Sequence, residues 1–176
     1  MIRQKTSARS FDTLGAKDSL EKAVAADPSH ALAHSALAEA WGTLGYDAKA
    51  KEEAKKGFEL AESLAREQSL WIEGRFRQIN KENDKAFEIY RTLFSFFPDN
   101  LRYGLRLATV QKGKDALTTL ELLRKLPPPA GDDPSIDVTE AEMWRSQGEL
   151  RKQADAAARA AGKSAIARKQ SRPSSS

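Results

Sequence analysis

The residue types that most often carry chemistry are sparse in this chain. His30 and His34 stand four apart across the start of a helix, but a metal site would need further ligands that no nearby cluster supplies. His34 is therefore expected in a core slot usually held by a large apolar residue, and His30 on the surface of a loop. The acid pairs Glu52/Glu53 and Asp132/Asp133 are adjacent, so on a helix their carboxylates diverge rather than share a proton. Cysteine is absent, which removes disulfides, thiol catalysis and thiolate metal sites. Gly42, Gly45 and Gly57 make no nucleotide-binding fingerprint, and Lys112-Gly113-Lys114 is too short to be a phosphate loop. No catalytic residue, metal or cofactor is expected.

The elements that would position any binding residues are read from a returning small side chain. Ala16, Ala50, Ala86, Ala116 and Ala154 recur at intervals of 34, 36, 30 and 38 residues. Three of them have a proline twelve positions on, at Pro28, Pro98 and Pro128. Each alanine is followed four and seven positions later by a small or apolar residue. The sets are Ala16/Leu20/Ala23, Ala50/Ala54/Gly57, Ala86/Tyr90/Leu93, Ala116/Leu120/Leu123 and Ala154/Ala158/Ala161. Such offsets put a set on one stripe of a helix, so each is expected to be the inner face of the second helix of a pair. A missing side chain at a crossing lets two backbones approach closely. The prolines stop the helices, because proline can neither continue one nor leave its predecessor free to be helical.

First helices are clearest at Ala31 to Thr43, where His34, Leu37, Ala38 and Trp41 fall on the positions of a repeat consensus and Gly45 turns the chain into the next helix. From Ala16 to about Ala161 the chain resembles the tetratricopeptide repeat family. Ser19 to Ala50 and Asp84 to Ala108 further resemble repeats that follow kinase, cyclase or winged-helix domains in large bacterial signalling proteins. The resemblance implies an all-α fold, a right-handed α-solenoid of antiparallel helix pairs. The expected organisation is an N-terminal segment over 1–12, an array of four to five units over 13–162, and a basic disordered tail over 163–176. Ser7 to Asp12 is too short for a full first helix, the fourth unit's first helix should lose about a turn, and the proline-rich stretch 127–134 reads as a long loop within the array. Neither end looks like a polar cap, which suggests a piece of a longer array or a homodimer formed through an end.

In this family the first helices line a concave groove that holds peptides or partner helices. Counting from the second helices, the groove positions are Leu32, Ser35, Glu39 and Gly42, then Gln68, Trp71, Arg75 and Gln78, then Arg102, Leu105, Arg106 and Thr109. Ser35, Glu39, Trp71, Arg75, Gln78, Arg102 and Arg106 are the candidate peptide-binding residues. Arg102 and Arg106, four apart, can point the same way, and with Arg75 would form a cationic strip able to take a carboxylate through paired hydrogen bonds. The competing reading makes these arginines solvated surface or partners of nearby glutamates. For Trp71 it favours the core, where a register shift of one residue would bury it. A chaperone-type acidic C-terminus is not expected as ligand: the family's carboxylate-clamp positions in the earlier units hold Ser35, Glu39 and Ile72, and Glu39 has the wrong sign.

Composition is that of a helix-rich globular chain, 40% hydrophobic and 31% charged. No apolar run is long enough to span a membrane, and Met1 to Lys5 lacks a signal-peptide core, so a cytoplasmic location is the default expectation. The net charge of +4 and pI near 9.3 permit nucleic-acid binding as a second class. Base-per-unit readers, however, need matching polar residues in successive units, and Ser35, Trp71 and Leu105 do not match. The expected function is a noncatalytic scaffold for a peptide, helix or partner domain, with nucleic acid unlikely.

Overall fold

The structure, a computed structural model, describes residues 3–170, with side chains over 13–166. The helices are α1 (Arg3–Ala26), α2 (Ala31–Thr43), α3 (Asp47–Leu60), α4 (Arg66–Ile79), α5 (Asn83–Phe96), α6 (Leu101–Val110), α7 (Gly113–Arg124), α8 (Pro134–Ser146) and α9 (Leu150–Gln170). No strand occurs among the described residues. Neither does any described helix have the length and apolarity to cross a membrane.

Local chemistry accounts for the helix ends. Asn100 caps α6 by accepting hydrogen bonds from the amides of Arg102 and Tyr103, and Asp133 caps α8 by accepting from Ser135, with Pro134 in the first turn. His30, expected as plain loop surface, caps α2: its Nδ1 accepts from the Ala33 amide at 3.2 Å. Pro28 and Pro98 follow the ends of α1 and α5, and Pro127-Pro128 follows α7. After α2 and α8 the chain turns through Gly45 (φ 84°) and Gly148 (φ 77°), backbone that a side chain would strain.

The chain forms two compact units, Met1–Leu93 and Phe94–Ser176, so the division falls inside α5 and not at the proline-rich loop. In the first unit, Leu37 and Trp41 of α2 and Ala50 of α3 form a core that Leu20, Val24, Leu44 and Ile79 close over. A side chain at Gly57 would stand 3.1 Å from the Ala31 carbonyl oxygen and the Ser35 nitrogen, so the α2–α3 crossing is set by backbone contact. In the second unit, Ala108, Leu120, Leu123 and Ile136 form the core, with Phe94, Leu101, Leu105 and Leu126 packed against it.

Three of the five small-residue stripes are interior as expected: Ala50/Ala54/Gly57, Ala86/Tyr90/Leu93 and Ala116/Leu120/Leu123 are all buried. The two outer stripes are not. Ala16 and Ala23 are exposed, and α1 instead turns Lys17, Leu20 and Val24 toward its neighbour. Ala154, Ala158 and Ala161 are exposed, while Ala156 and Ala160 are buried. Among the described residues α1 packs on α2 and α9 on α8, and the face each buries is the one that meets that neighbour.

Smaller departures follow. α1 is one helix of 24 residues and shows no break at residue 12. α6 has 10 residues against 13 in α2 and 14 in α4, the shortening that the sequence spacing implied. α9 continues through the basic stretch to Gln170, and the expectation for Ser171 to Ser176 lies outside the described residues.

Candidate functional site

The candidate residues divide between the two units. In the first, α2 carries Ser35 and Glu39, and α4 carries Trp71, Arg75 and Gln78. Glu39 and Arg75 are 36 residues apart and form an ion pair in which the arginine side chain is 7% exposed and the carboxylate 45%. The Arg75 guanidinium also lies 5.5 Å from the centre of the Trp71 ring, close enough for a cation–π contact. Trp71 in turn meets Tyr90 of α5 at 6.2 Å between ring centres, and the Tyr90 hydroxyl donates to Gln78 Oε1 at 3.1 Å.

A side chain at Gly74 would fall 2.6 Å from Tyr90 Cε1. Its absence is what lets the tyrosine lie flat on α4 and reach Gln78. Ser35 is buried, and its hydroxyl has no hydrogen-bond partner among the described residues. Glu39 therefore forms the open edge of this cluster, while Ser35, Trp71 and Arg75 sit beneath it.

In the second unit, α6 carries an exposed Arg102 and a half-buried Arg106. The capping by Asn100 fixes the first turn from which Arg102 projects. Of the three arginines in the strip inferred from the sequence, Arg75 is paired with Glu39 in the first unit, and Arg102 and Arg106 share one helix of the second.

Two polar clusters were not legible as such. His34 is buried as expected, yet it does not behave as an apolar filler. Its Nδ1 lies 2.6 Å from Glu53 Oε2 and its Nε2 lies 2.9 Å from the Pro28 carbonyl oxygen. Lys56 completes the group by donating to Glu53 Oε1 at 3.0 Å, and the imidazole so ties α3 to the loop before α2.

The other cluster centres on Asp137 of α8, which is wholly buried. Arg124 of α7 donates to its Oδ1 at 2.8 Å, Arg159 of α9 reaches the same oxygen at 3.2 Å, and Lys163 of α9 lies 2.9 Å from Oδ2. Glu140, one turn along α8, is paired with Arg124 and, at 2.6 Å, with Arg159, and accepts from Trp144 Nε1 at 3.1 Å. Burial pushes both carboxyls up. For Asp137 the pairing with Lys163, Arg124 and Arg159 outweighs it, and for Glu140 the hydrogen bonds from Trp144, Arg124 and Arg159 do, so both end below the ordinary carboxylate range. The sequence signal was faint: cations four apart at 159 and 163 on one helix face. Among the described residues no group of three or more His, Cys, Asp or Glu is placed to hold a metal ion.

Helix pairs with a recurrent small-residue stripe define the class: a helical repeat of tetratricopeptide type. The chain is similar to the crystal structure of a tetratricopeptide repeat protein from Parabacteroides merdae ATCC 43184, with 16% identity and a TM-score of 0.61 over 90% of this chain and 62% of that one. It therefore spans under two thirds of that protein's length. The crystal structure of MamA also aligns, with 17% identity and a TM-score of 0.44 over 96% of this chain and 98% of that one. At 16% identity the likeness to the Parabacteroides merdae protein is one of fold. No family model matches the sequence, and no curated protein matches it.

Proposed function

We propose that the chain is a noncatalytic interaction module whose first helices receive a peptide, a helix or a partner domain. The observation that carries this reading is the Glu39–Arg75 pair over Trp71. It is a charged pair on the first helices α2 and α4 whose arginine is buried against Trp71 and whose carboxylate reaches the surface. In the first unit Glu39 is the residue that meets a ligand directly, and in the second unit Arg102 and Arg106 do so on their own helix. Ser35, Trp71, Arg75 and Gln78 act by holding that surface in shape.

The partner is a protein, and the module works in the cytoplasm of a bacterium, either by itself, as a homodimer, or as an arm of a larger signalling protein. The test is affinity capture with the whole chain, read by mass spectrometry, beside the double variant Arg102→Ala/Arg106→Ala. Capture should fall while helicity by circular dichroism stays unchanged. Undiminished capture by the variant overturns the assignment of α6. Retardation of an RNA or DNA oligomer that weakens steeply between about 50 and 200 mM salt would instead make the basic surface a nucleic-acid site.

A further inference from the structure

The last helix is held down by a different physics from the other second helices. α3 buries Ala50, Ala54 and Gly57, α5 buries Ala86, Tyr90 and Leu93, and α7 buries Ala116, Leu120 and Leu123. The described side chains of α9 bury only Ala156 and Ala160, and its two large apolar residues, Leu150 and Ile166, are 73% and 58% exposed. Two methyl groups remove little apolar surface from water, so hydrophobic burial alone gives α9 a weak hold.

Charge supplies the rest. The docked side of α9 sends Arg159 and Lys163 to the buried Asp137, and Arg159 also to Glu140. The groups facing these two carboxylates are Arg124 from α7 and Arg159 and Lys163 from α9, with Trp144 Nε1 donating to Glu140 from within α8. Arg124 ties α8 to α7 without any help from α9. The cluster can thus lose its α9 half and still join α7 to α8.

We propose that α9 is a releasable strap, docked on α8 chiefly by the ion cluster around Asp137 and Glu140, which detaches ahead of the α6–α8 core when those charges are removed. The two carboxyls lie below their ordinary range, so the strap is fully held above that range and is lost as pH falls through their lowered folded values. Release exposes the side of α8 from which Asp137 meets Arg159 and Lys163.

Segment-resolved hydrogen exchange on the full chain at neutral pH tests this. The variant Arg159→Gln/Lys163→Gln removes the α9 half of the cluster and leaves Arg124 on Asp137 and Glu140. Amides of α9 should exchange about tenfold faster, less than the loss of a wholly buried pair would produce, because Arg159 and Lys163 are part-exposed. Amides around Leu120 and Leu123 in α7 should stay within about twofold of the parent, as expected when sub-global opening is confined to one segment. Asp137→Asn should accelerate α9 at least as much. If α9 is unchanged in the double variant, or if α7 accelerates alongside it, the strap does not exist as a separate unit.

Discussion

The close approach of α6 to Leu123 in the second unit offers a test of its packing by a double-mutant cycle. A methyl placed on Gly104 of α6 would fall inside the contact distance of Leu123 Cδ2 and 2.9 Å from Phe94 Cε2. Leu123 is fully buried in the core with Leu120 and Ile136, so it has nowhere to retreat. Gly104→Ala alone should cost about 1 to 3 kcal/mol in overpacking, offset by about 1 kcal/mol of helix propensity. Leu123→Ala alone opens a cavity and should cost about 2 to 5 kcal/mol. Combined, the new methyl grows into the space the leucine vacated. The clash with Leu123 disappears and only the ring of Phe94 has to shift. The double variant should therefore be at least as stable as Leu123→Ala, a coupling of about 1 to 3 kcal/mol of the size seen for residues in contact. Urea denaturation of all four proteins, with the slope checked for constancy, gives the numbers. Additive losses would refute the contact between α6 and α7 from which the reasoning starts.

Two further tests address separate links of the argument. Ala154→Gln should change stability by no more than about 0.5 kcal/mol, as an exposed site does, whereas Ala156→Gln forces an amide into a buried slot and should cost about 1 to 3 kcal/mol; the reverse ranking in thermal melts would restore the stripe read from the sequence. Asn100→Ala removes the acceptor of the Arg102 and Tyr103 amides and should cost about 1 kcal/mol in denaturant titration, with no loss if water replaces the cap fully.

How much was legible depended on where a residue sat in the array. Ala50 and Ala116 were readable as interior because each lies on a helix with neighbours on both sides, α2 and α4 for the one and α6 and α8 for the other, and a position pressed from two directions tolerates only a small side chain. Ala16 and Ala154 carry the same pattern, yet α1 and α9 bury other faces against α2 and α8. In α9 the need to bring Arg159 and Lys163 to Asp137 turns the Ala154 face outward. The candidate site shows a related limit. Glu39 and Arg75 were both placed on first helices, and partnership with a nearby glutamate was one of the readings open for the arginine, but which glutamate it meets, one repeat earlier, was not legible. The glycines at 74 and 104 gave no sign of their roles, since each is explained only by a ring or a leucine from the following helix.

Periodicity and prolines were enough to indicate the helix pairs and to find the stripe on which α3, α5 and α7 pack, because those properties depend on residues within a few positions of one another. Which face the outer helices bury, whom Arg75 and His34 hold, and how Asp137 is kept charged inside the second unit were decided by tertiary structure. A carboxylate's partners are chosen by proximity in space. Glu39 and Arg75 meet across one repeat, and Asp137 meets Arg159 and Lys163 across a turn and most of a helix. No local pattern along the chain encodes those distances.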